Sequence, residues 1–221
     1  MTPPRILAID TSSEYASLAL LRRGEAPVEV AAHSADGHAH GLFGYIEQLL
    51  ARSGVCVREI DCFAAAAGPG SFTGVRVALS AAKGLAEANR KPMVAVSNLQ
   101  ALAWHGSRTL RAAVLDARRG EIYGAVYDSQ LRLVQPETAG VLDAWLSALP
   151  SGEIELITMD RELLPATPGK PVIEAPRALA SAVAFIALDR LERGLAVDPA
   201  ATDANYVRHA DAERQWRDLR S

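Results

Sequence analysis

One pattern occurs twice along this chain, once near the N-terminus and once near the middle. Arg5 opens an apolar run that Asp10 closes, and Arg111 opens a second run that Asp116 closes, at the same five-residue offset. A polar turn follows each run: Thr11-Ser12-Ser13-Glu14 in the first copy and Arg118-Arg119-Gly120 in the second. An alternating strand comes next, Tyr15 to Arg22 and Glu121 to Tyr127, and then a third strand, Val28 to Ala32 and around Leu131 to Gln135. Three strands joined by short turns predict an antiparallel meander. Two such meanders in 221 residues predict two similar units, each needing helices to cover its sheet.

The intervening segments supply those helices. Leu42, Ile46, Leu49 and Leu50 recur at helical spacing and predict a helix from about Ala39 to Arg52, stopped by Gly54. A strand of small residues, Asp61 to Ala67, precedes the Gly-rich loop Gly68 to Gly74, and a second helix is predicted from about Val75 to Asn89. Lys91-Pro92 ends it before a strand from Met93 to Ser97. In the second half a helix is expected near Val141 to Leu149, a strand near Ile154 to Thr158 and a long helix from about Arg177 to Gly194. The order predicts an α/β protein with duplicated βββαβα lobes, of the actin-like (ribonuclease H-like, sugar kinase and chaperone ATPase) type. The lobes are expected at 1–100 and 101–202, with a C-terminal helix at about 203–221 packing back on the first. The Pro-rich stretch from Pro136 to Pro176 predicts a reduced second lobe.

Composition removes several alternatives. Lys and Arg total 23 against 26 Asp and Glu, a formal charge of −3. That balance argues against gripping nucleic acid by a broad basic surface. No apolar run approaches the roughly 18 residues that cross a bilayer, and the first residues lack a signal peptide's apolar core, so a cytoplasmic location is expected. Cys56 and Cys62 are the only cysteines, too few for a disulfide framework or a zinc cluster.

Three places carry candidate chemistry. The first turn, Asp10-Thr11-Ser12, stands where a phosphate-wrapping hairpin would sit, yet it lacks the glycine that lets backbone N–H groups approach a phosphate. Its counterpart at Asp116 has one glycine and two arginines. A degenerate nucleotide site and a plain polar hairpin both fit. The loop Gly68-Pro69-Gly70-Ser71-Phe72-Thr73-Gly74 precedes a helix and reads either as an anion-binding loop through Gly70, Ser71 and Thr73 or as a structural turn in which Ser71 or Thr73 caps the helix. It matches neither a Walker A loop nor a nucleophile elbow. The histidines His33, His38 and His40 cluster near the first helix, but His40 has Gly44 four residues on, so the helical metal pair is missing. The second helix is apolar nearly all round, which predicts burial on two sides, within the monomer or against a partner.

The stretches ILAIDTSSEYASLAL, GPGSFTGVRVALSAAKGLA and LDARRGEIYGAVY, which fall in that order, resemble the TsaB family, also called YeaZ. The resemblance covers about residues 5 to 130. Asn205-Tyr206-Val207-Arg208 resembles the family's closing Tyr-Val/Leu-Arg before a C-terminal helix. It implies a non-catalytic subunit of the bacterial machinery that makes threonylcarbamoyladenosine in tRNA. Such a subunit pairs with the catalytic relative TsaD through helices of the N-terminal lobe, and the ATPase TsaE joins them. TsaD transfers the threonylcarbamoyl group to the adenosine beside the anticodon of ANN-reading tRNAs. The family implies no cofactor or metal of this chain's own. ATP or ADP would be held at the subunit junction mainly by partners, tRNA would be met through the complex, and the isolated chain could homodimerise. The implied partner surface comprises Leu42, Tyr45, Ile46 and Leu49 on the first helix with Arg76, Leu79, Ser80 and Lys83 on the second. Arg208, Arg214, Arg217 and Arg220 read as a solvated charged tail. The competing readings are an actin-like nucleotide-binding enzyme (ATPase or kinase), a peptidase-like protein and a small-molecule sensor that uses the interlobe cleft.

Overall fold

 The computed structural model describes residues 3–33, 41–165, 167 and 169–207. They form two five-stranded sheets of the same design. The first joins β1 (Arg5–Asp10), β2 (Tyr15–Arg22), β3 (Val28–His33), β4 (Cys62–Ala66) and β5 (Met93–Val96) in the order β3-β2-β1-β4-β5. The second joins β6 (Leu110–Asp116), β7 (Glu121–Asp128), β8 (Leu133–Val141), β9 (Ile154–Thr158) and β10 (Val172–Glu174) in the order β10-β9-β6-β7-β8. Read from the third strand of each copy, the two orders are the same. β1 and β6 each pair antiparallel with the next strand and parallel with the strand after the crossover. The duplicated pattern in the sequence is thus a duplicated sheet.

Five helices cover these sheets: α1 (Leu42–Ser53), α2 (Phe72–Asn89), α3 (Asn98–Ala103), α4 (Leu142–Ser147) and α5 (Ala180–Glu192). α1 and α2 share one face of the first sheet, where Leu42, Ile46, Leu49, Val75, Ala78 and Leu79 join Leu7, Ile9 and Phe63 in one apolar core. α5 covers the other face of that sheet, with Val183, Ala184 and Ala187 against Ile6, Ala8 and Val94. α3 packs on the second sheet through Leu99 and Leu102, and α4 covers its opposite face with Trp145. Each lobe therefore contributes its last helix to the layer between the sheets. The sheets themselves divide between residues 96 and 110, while α5 returns to the first sheet.

The local chemistry explains the boundaries. Gly54 takes the left-handed conformation (φ 61°) that ends α1, its N–H capping the last carbonyls. α2 begins earlier than its apolar periodicity suggests, because the Ser71 hydroxyl accepts from Gly74 N at 3.3 Å and lets Phe72 open the helix. β8 continues through Pro136, which a mid-sheet strand would reject. As the edge strand of its sheet, β8 tolerates a residue with no N–H. Among the described residues of the second lobe, the crossover between β9 and β10 carries a 3-10 turn, Arg161–Leu163, where the first lobe has the 18-residue α2. The expected helix at 203–221 is not helical over 203–207, and its remainder lies outside the described residues.

One buried carboxylate holds the entry to the second lobe. Glu155 on β9 is enclosed, and its Oε1 accepts from Ser107 N at 2.5 Å and Arg108 N at 2.7 Å. These bonds fix the turn that leads from α3 into β6. Glu155→Leu leaves both N–H groups without that acceptor and is expected to cost about 3 kcal/mol, with Glu155→Gln costing less because one side-chain oxygen remains. Urea denaturation of the two variants measures the difference.

Candidate functional site

The two hairpin turns face each other across a cleft of about 640 Å³ between the lobes. Ser12, Ser13 and Glu14 of the β1–β2 turn line one side, and Asp116, Ala117 and Arg118 of the β6–β7 turn line the other. Gly70, Ser71 and Asn98 complete the first wall, and Thr158, Asp160 and Arg177 close the second. The duplication is visible in detail here. Asp10 Oδ1 accepts from Ser12 N at 2.9 Å, and Asp116 Oδ1 accepts from Arg118 N at 2.7 Å, so each strand-ending aspartate closes its own turn.

Asp10 sits beneath the cleft surface rather than on it. Its Oδ1 also accepts from Ser12 Oγ at 2.6 Å; Ser12 Oγ in turn accepts from Asn98 Nδ2 at 2.6 Å, and Asn98 Oδ1 accepts from Gly68 N at 3.0 Å. This buried chain ties β1, the Gly-rich loop and α3 together. Burial, with a contribution from the Asp10 charge, pushes the Glu29 carboxyl on β3 up from its ordinary range, while the Ser181 hydroxyl opposes the shift.

Two backbone donors of the Gly-rich loop, at Ser71 and Gly74, are used within the protein. Ser71 N donates to Ser12 O at 2.7 Å, Gly74 N donates to Ser71 Oγ, and Thr11 Oγ1 donates to Gly74 O at 2.7 Å. A Cβ on Gly74 would lie 1.9 Å from Thr11 O, and one on Gly70 would lie 2.8 Å from Ser12 O. The two glycines are there so that loop and hairpin backbones can touch. In the second turn, Arg118 and Arg119 adopt left-handed backbone (φ 65° and 57°) ahead of Gly120 (φ 77°). Non-glycine residues in that region cost roughly 1 kcal/mol each.

The structure therefore brings Ser12, Gly70, Ser71 and Asp116 to one cleft, buries Asp10 and Thr11 under it, and leaves Thr73 outside its lining, exposed on the first turn of α2. His33 ends β3, with its ring 4.8 Å from that of Tyr15, while His38 and His40 lie outside the described residues. Among the described residues no group of three or more His, Cys, Asp or Glu side chains is placed to hold a metal.

The outer face of the first lobe requires a correction. Leu42, Ile46, Leu49 and Leu79 are core residues; Leu79 is only 5% exposed. The periodic apolar face of each helix packs on the sheet, as in a surface helix, so these four side chains point into the core rather than to the outer face. Tyr45 and Lys83 are half-buried, and Lys83 Nζ donates to Thr202 O. Arg76 and Ser80 are exposed. The second helix is thus buried on one side of the monomer, and Phe72, Arg76, Ser80 and Gly84 run along its open side at four-residue spacing. Phe72 is 53% exposed and Tyr206 49%; the Arg76 guanidinium lies 3.5 Å from the Phe72 ring centroid and donates to Tyr206 Oη at 3.0 Å. Phe43 on α1 is 60% exposed.

Sequence reasoning missed Asn98 and Glu137. Glu137 on edge strand β8 accepts from Ser97 Oγ and Tyr127 Oη through Oε1 and from Asn205 Nδ2 through Oε2, each at 2.5 Å. Asn205 N donates to Ala67 O at 2.8 Å. The carboxylate thereby joins both lobes and the C-terminal segment, and burial, with a contribution from the Glu137 charge, raises the Tyr127 phenol above its ordinary range. The signal at hand was Asn205-Tyr206, seen only as a family ending.

Two sheets of one design, a crossed pair of inter-sheet helices and a cleft between paired hairpin turns define an actin-like two-lobed protein. The chain belongs to the family described as TsaD, tRNA N6-adenosine threonylcarbamoyltransferase, whose model matches residues 28–198. It is similar to the tRNA threonylcarbamoyladenosine biosynthesis protein TsaB of Haemophilus influenzae, with 40% identity over 123 residues, 53% of this chain and 51% of that protein. It is also similar to TsaB of Escherichia coli, with 39% identity over 129 residues, 56% of this chain and 54% of that one. The chain thus spans about half the length of these two curated relatives. Among solved structures, an uncharacterized protein with similarity to peptidase YEAZ from Pseudomonas aeruginosa superposes with a TM-score of 0.82 at 29% identity, covering 93% of this chain and 100% of that one. No described helix is long and apolar enough to cross a membrane.

Proposed function

We propose that this chain is a non-catalytic cytoplasmic subunit of the machinery that installs threonylcarbamoyl on the adenosine beside the anticodon of ANN-reading tRNAs. It pairs with a TsaD-like catalytic relative through the outer face of its first lobe, and a TsaE-like ATPase joins the pair. The observation that carries this reading is the open side of α2, where the exposed Phe72 and Tyr206 flank Arg76 and the small residues Ser80 and Gly84 leave room for a second helix. The isolated chain would cover the same face by homodimerising. The cleft supports the non-catalytic half of the reading: the Ser71 and Gly74 N–H groups of the Gly-rich loop already serve Ser12 O and Ser71 Oγ. ATP or ADP would then be held at the subunit junction mainly by the partners.

The test is reconstitution of the modification with a TsaD-like relative, a TsaE-like ATPase, the enzyme that makes the adenylate, and tRNA. Omitting this chain is expected to lower the rate at least about tenfold. Equal product without it would overturn the reading. The second reading, a nucleotide-binding enzyme, rests on the cleft volume and on Asp116 at its wall. It predicts nucleotide hydrolysis by the chain alone.

A further inference from the structure

Asn205 is held from both lobes, and the next residue, Tyr206, stands on the open side of α2. The first lobe holds Asn205 through backbone carbonyls. Asn205 N donates to Ala67 O at 2.8 Å, and Asn205 Nδ2 donates to Gly68 O at 3.4 Å. The second lobe holds it through one side chain, because the same Nδ2 donates to Glu137 Oε2 at 2.5 Å. Glu137 is fixed in turn. Its Oε1 accepts from Tyr127 Oη on β7 and from Ser97 Oγ, the residue that caps α3. Each of these bonds to an ionised carboxylate is about twice as strong as one between neutral groups. The segment then runs along α2. Lys83 Nζ donates to Thr202 O, Ala204 packs on the core beneath the helix, and Arg76 Nε donates to Tyr206 Oη at 3.0 Å. The Tyr206 ring lies 6.1 Å from that of Phe72.

We infer that Glu137 is a positioning residue for the partner face: from the second lobe it sets where Tyr206 stands against Phe72 and Arg76, and so couples the arrangement of the lobes to pairing through α2. This rests on the partner face proposed above. A movement of the second sheet that withdraws Glu137 releases the Asn205 side chain, and Tyr206 is one residue away. By linkage, a partner seated on Tyr206 holds the lobes in the arrangement seen here. The chemistry of the clamp separates two substitutions. In Glu137→Gln the amide oxygen can still accept from Asn205 Nδ2, while the amide nitrogen donates to the Tyr127 hydroxyl, which accepts as well as donates. Glu137→Ala leaves Asn205 Nδ2 with the long bond to Gly68 O.

Two measurements on the full chain test this: amide exchange at Asn205 N–H, and pairing with a TsaD-like relative by sedimentation velocity. Glu137→Ala is expected to speed the exchange at least about tenfold and to weaken pairing at least about fivefold. Glu137→Gln is expected to keep both within about twofold of the parent. Asn205→Ala is expected to weaken pairing as Glu137→Ala does, and the double variant no more than either alone, because both remove one bond. Circular dichroism confirms that each variant is folded. Unchanged exchange in a folded Glu137→Ala overturns the inference whatever the partner does. Equal losses in Glu137→Gln and Glu137→Ala would mark general damage to β8 and overturn it as well. Parent-like pairing by Glu137→Ala, with pairing lost in Ser80→Arg combined with Gly84→Arg, overturns this inference and leaves the proposed face standing. Pairing that survives all of these substitutions, or that the parent does not show, overturns the proposed face and this inference with it.

Discussion

Gly74→Ala is expected to destabilise the chain by about 3 kcal/mol, at the upper end of what a single added methyl group costs. The new Cβ would lie 1.9 Å from the Thr11 carbonyl oxygen, a backbone atom that no rotamer change can move. Neither side can retreat freely. Thr11 Oγ1 holds Gly74 O, and Ser71 N holds Ser12 O, so separating the backbones breaks both bonds. The same change ten residues on is expected to have the opposite sign. Gly84 lies within α2 with nothing within 4 Å of its Cβ position, and alanine there is expected to stabilise by about 1 kcal/mol through helix propensity. Urea denaturation of both variants decides the matter. A Gly74→Ala protein as stable as the parent would show that the loop does not clamp the hairpin as described.

The largest functional effect is expected from Ser80→Arg combined with Gly84→Arg. Both positions are exposed on the open side of α2, and Arg is a good helix former. Fold stability is therefore expected to stay within about 0.5 kcal/mol of the parent for Ser80→Arg and to rise for Gly84→Arg, where a helix former replaces glycine. Pairing is another matter. Close approach of a second helix needs small residues at the crossing, and two guanidinium groups placed there would lose water without gaining carboxylates. Breaking an interface in that way costs several kcal/mol, enough to weaken association by more than about a hundredfold. Leu79→Glu would also abolish pairing, but for a different reason. Leu79 is packed with Phe63 and Ala82 in the core, and a carboxylate there unfolds the lobe.

The duplicated sheet was legible because each copy carries its own short run from arginine to aspartate and a turn directly after it. The apolar stripe of α1 was legible as a helix. Which way that stripe faced was not. Periodicity reports that Leu42, Ile46 and Leu49 share a side, and the sheet claims that side before any partner can. α3 escaped notice because six residues give fewer than two turns in which a period can repeat. β8 was cut short at Pro136 because an edge position cannot be read from one strand alone. The cleft was half legible. Asp10, Ser12 and Asp116 stood out at the ends of matching strands, whereas Asn98 reaches Ser12 and Gly68 far along the chain and Glu137, outside the cleft, joins Ser97 to Asn205. Contacts of that kind leave no local pattern.

The central claim is that α2 presents a partner-binding face. Sedimentation velocity of this chain mixed with a TsaD-like relative tests it most directly. The parent chain is predicted to co-sediment with the relative, and the doubly substituted chain, folded by circular dichroism, is predicted to remain apart from it. A folded Ser80→Arg/Gly84→Arg chain that still co-sediments as tightly as the parent would contradict the account.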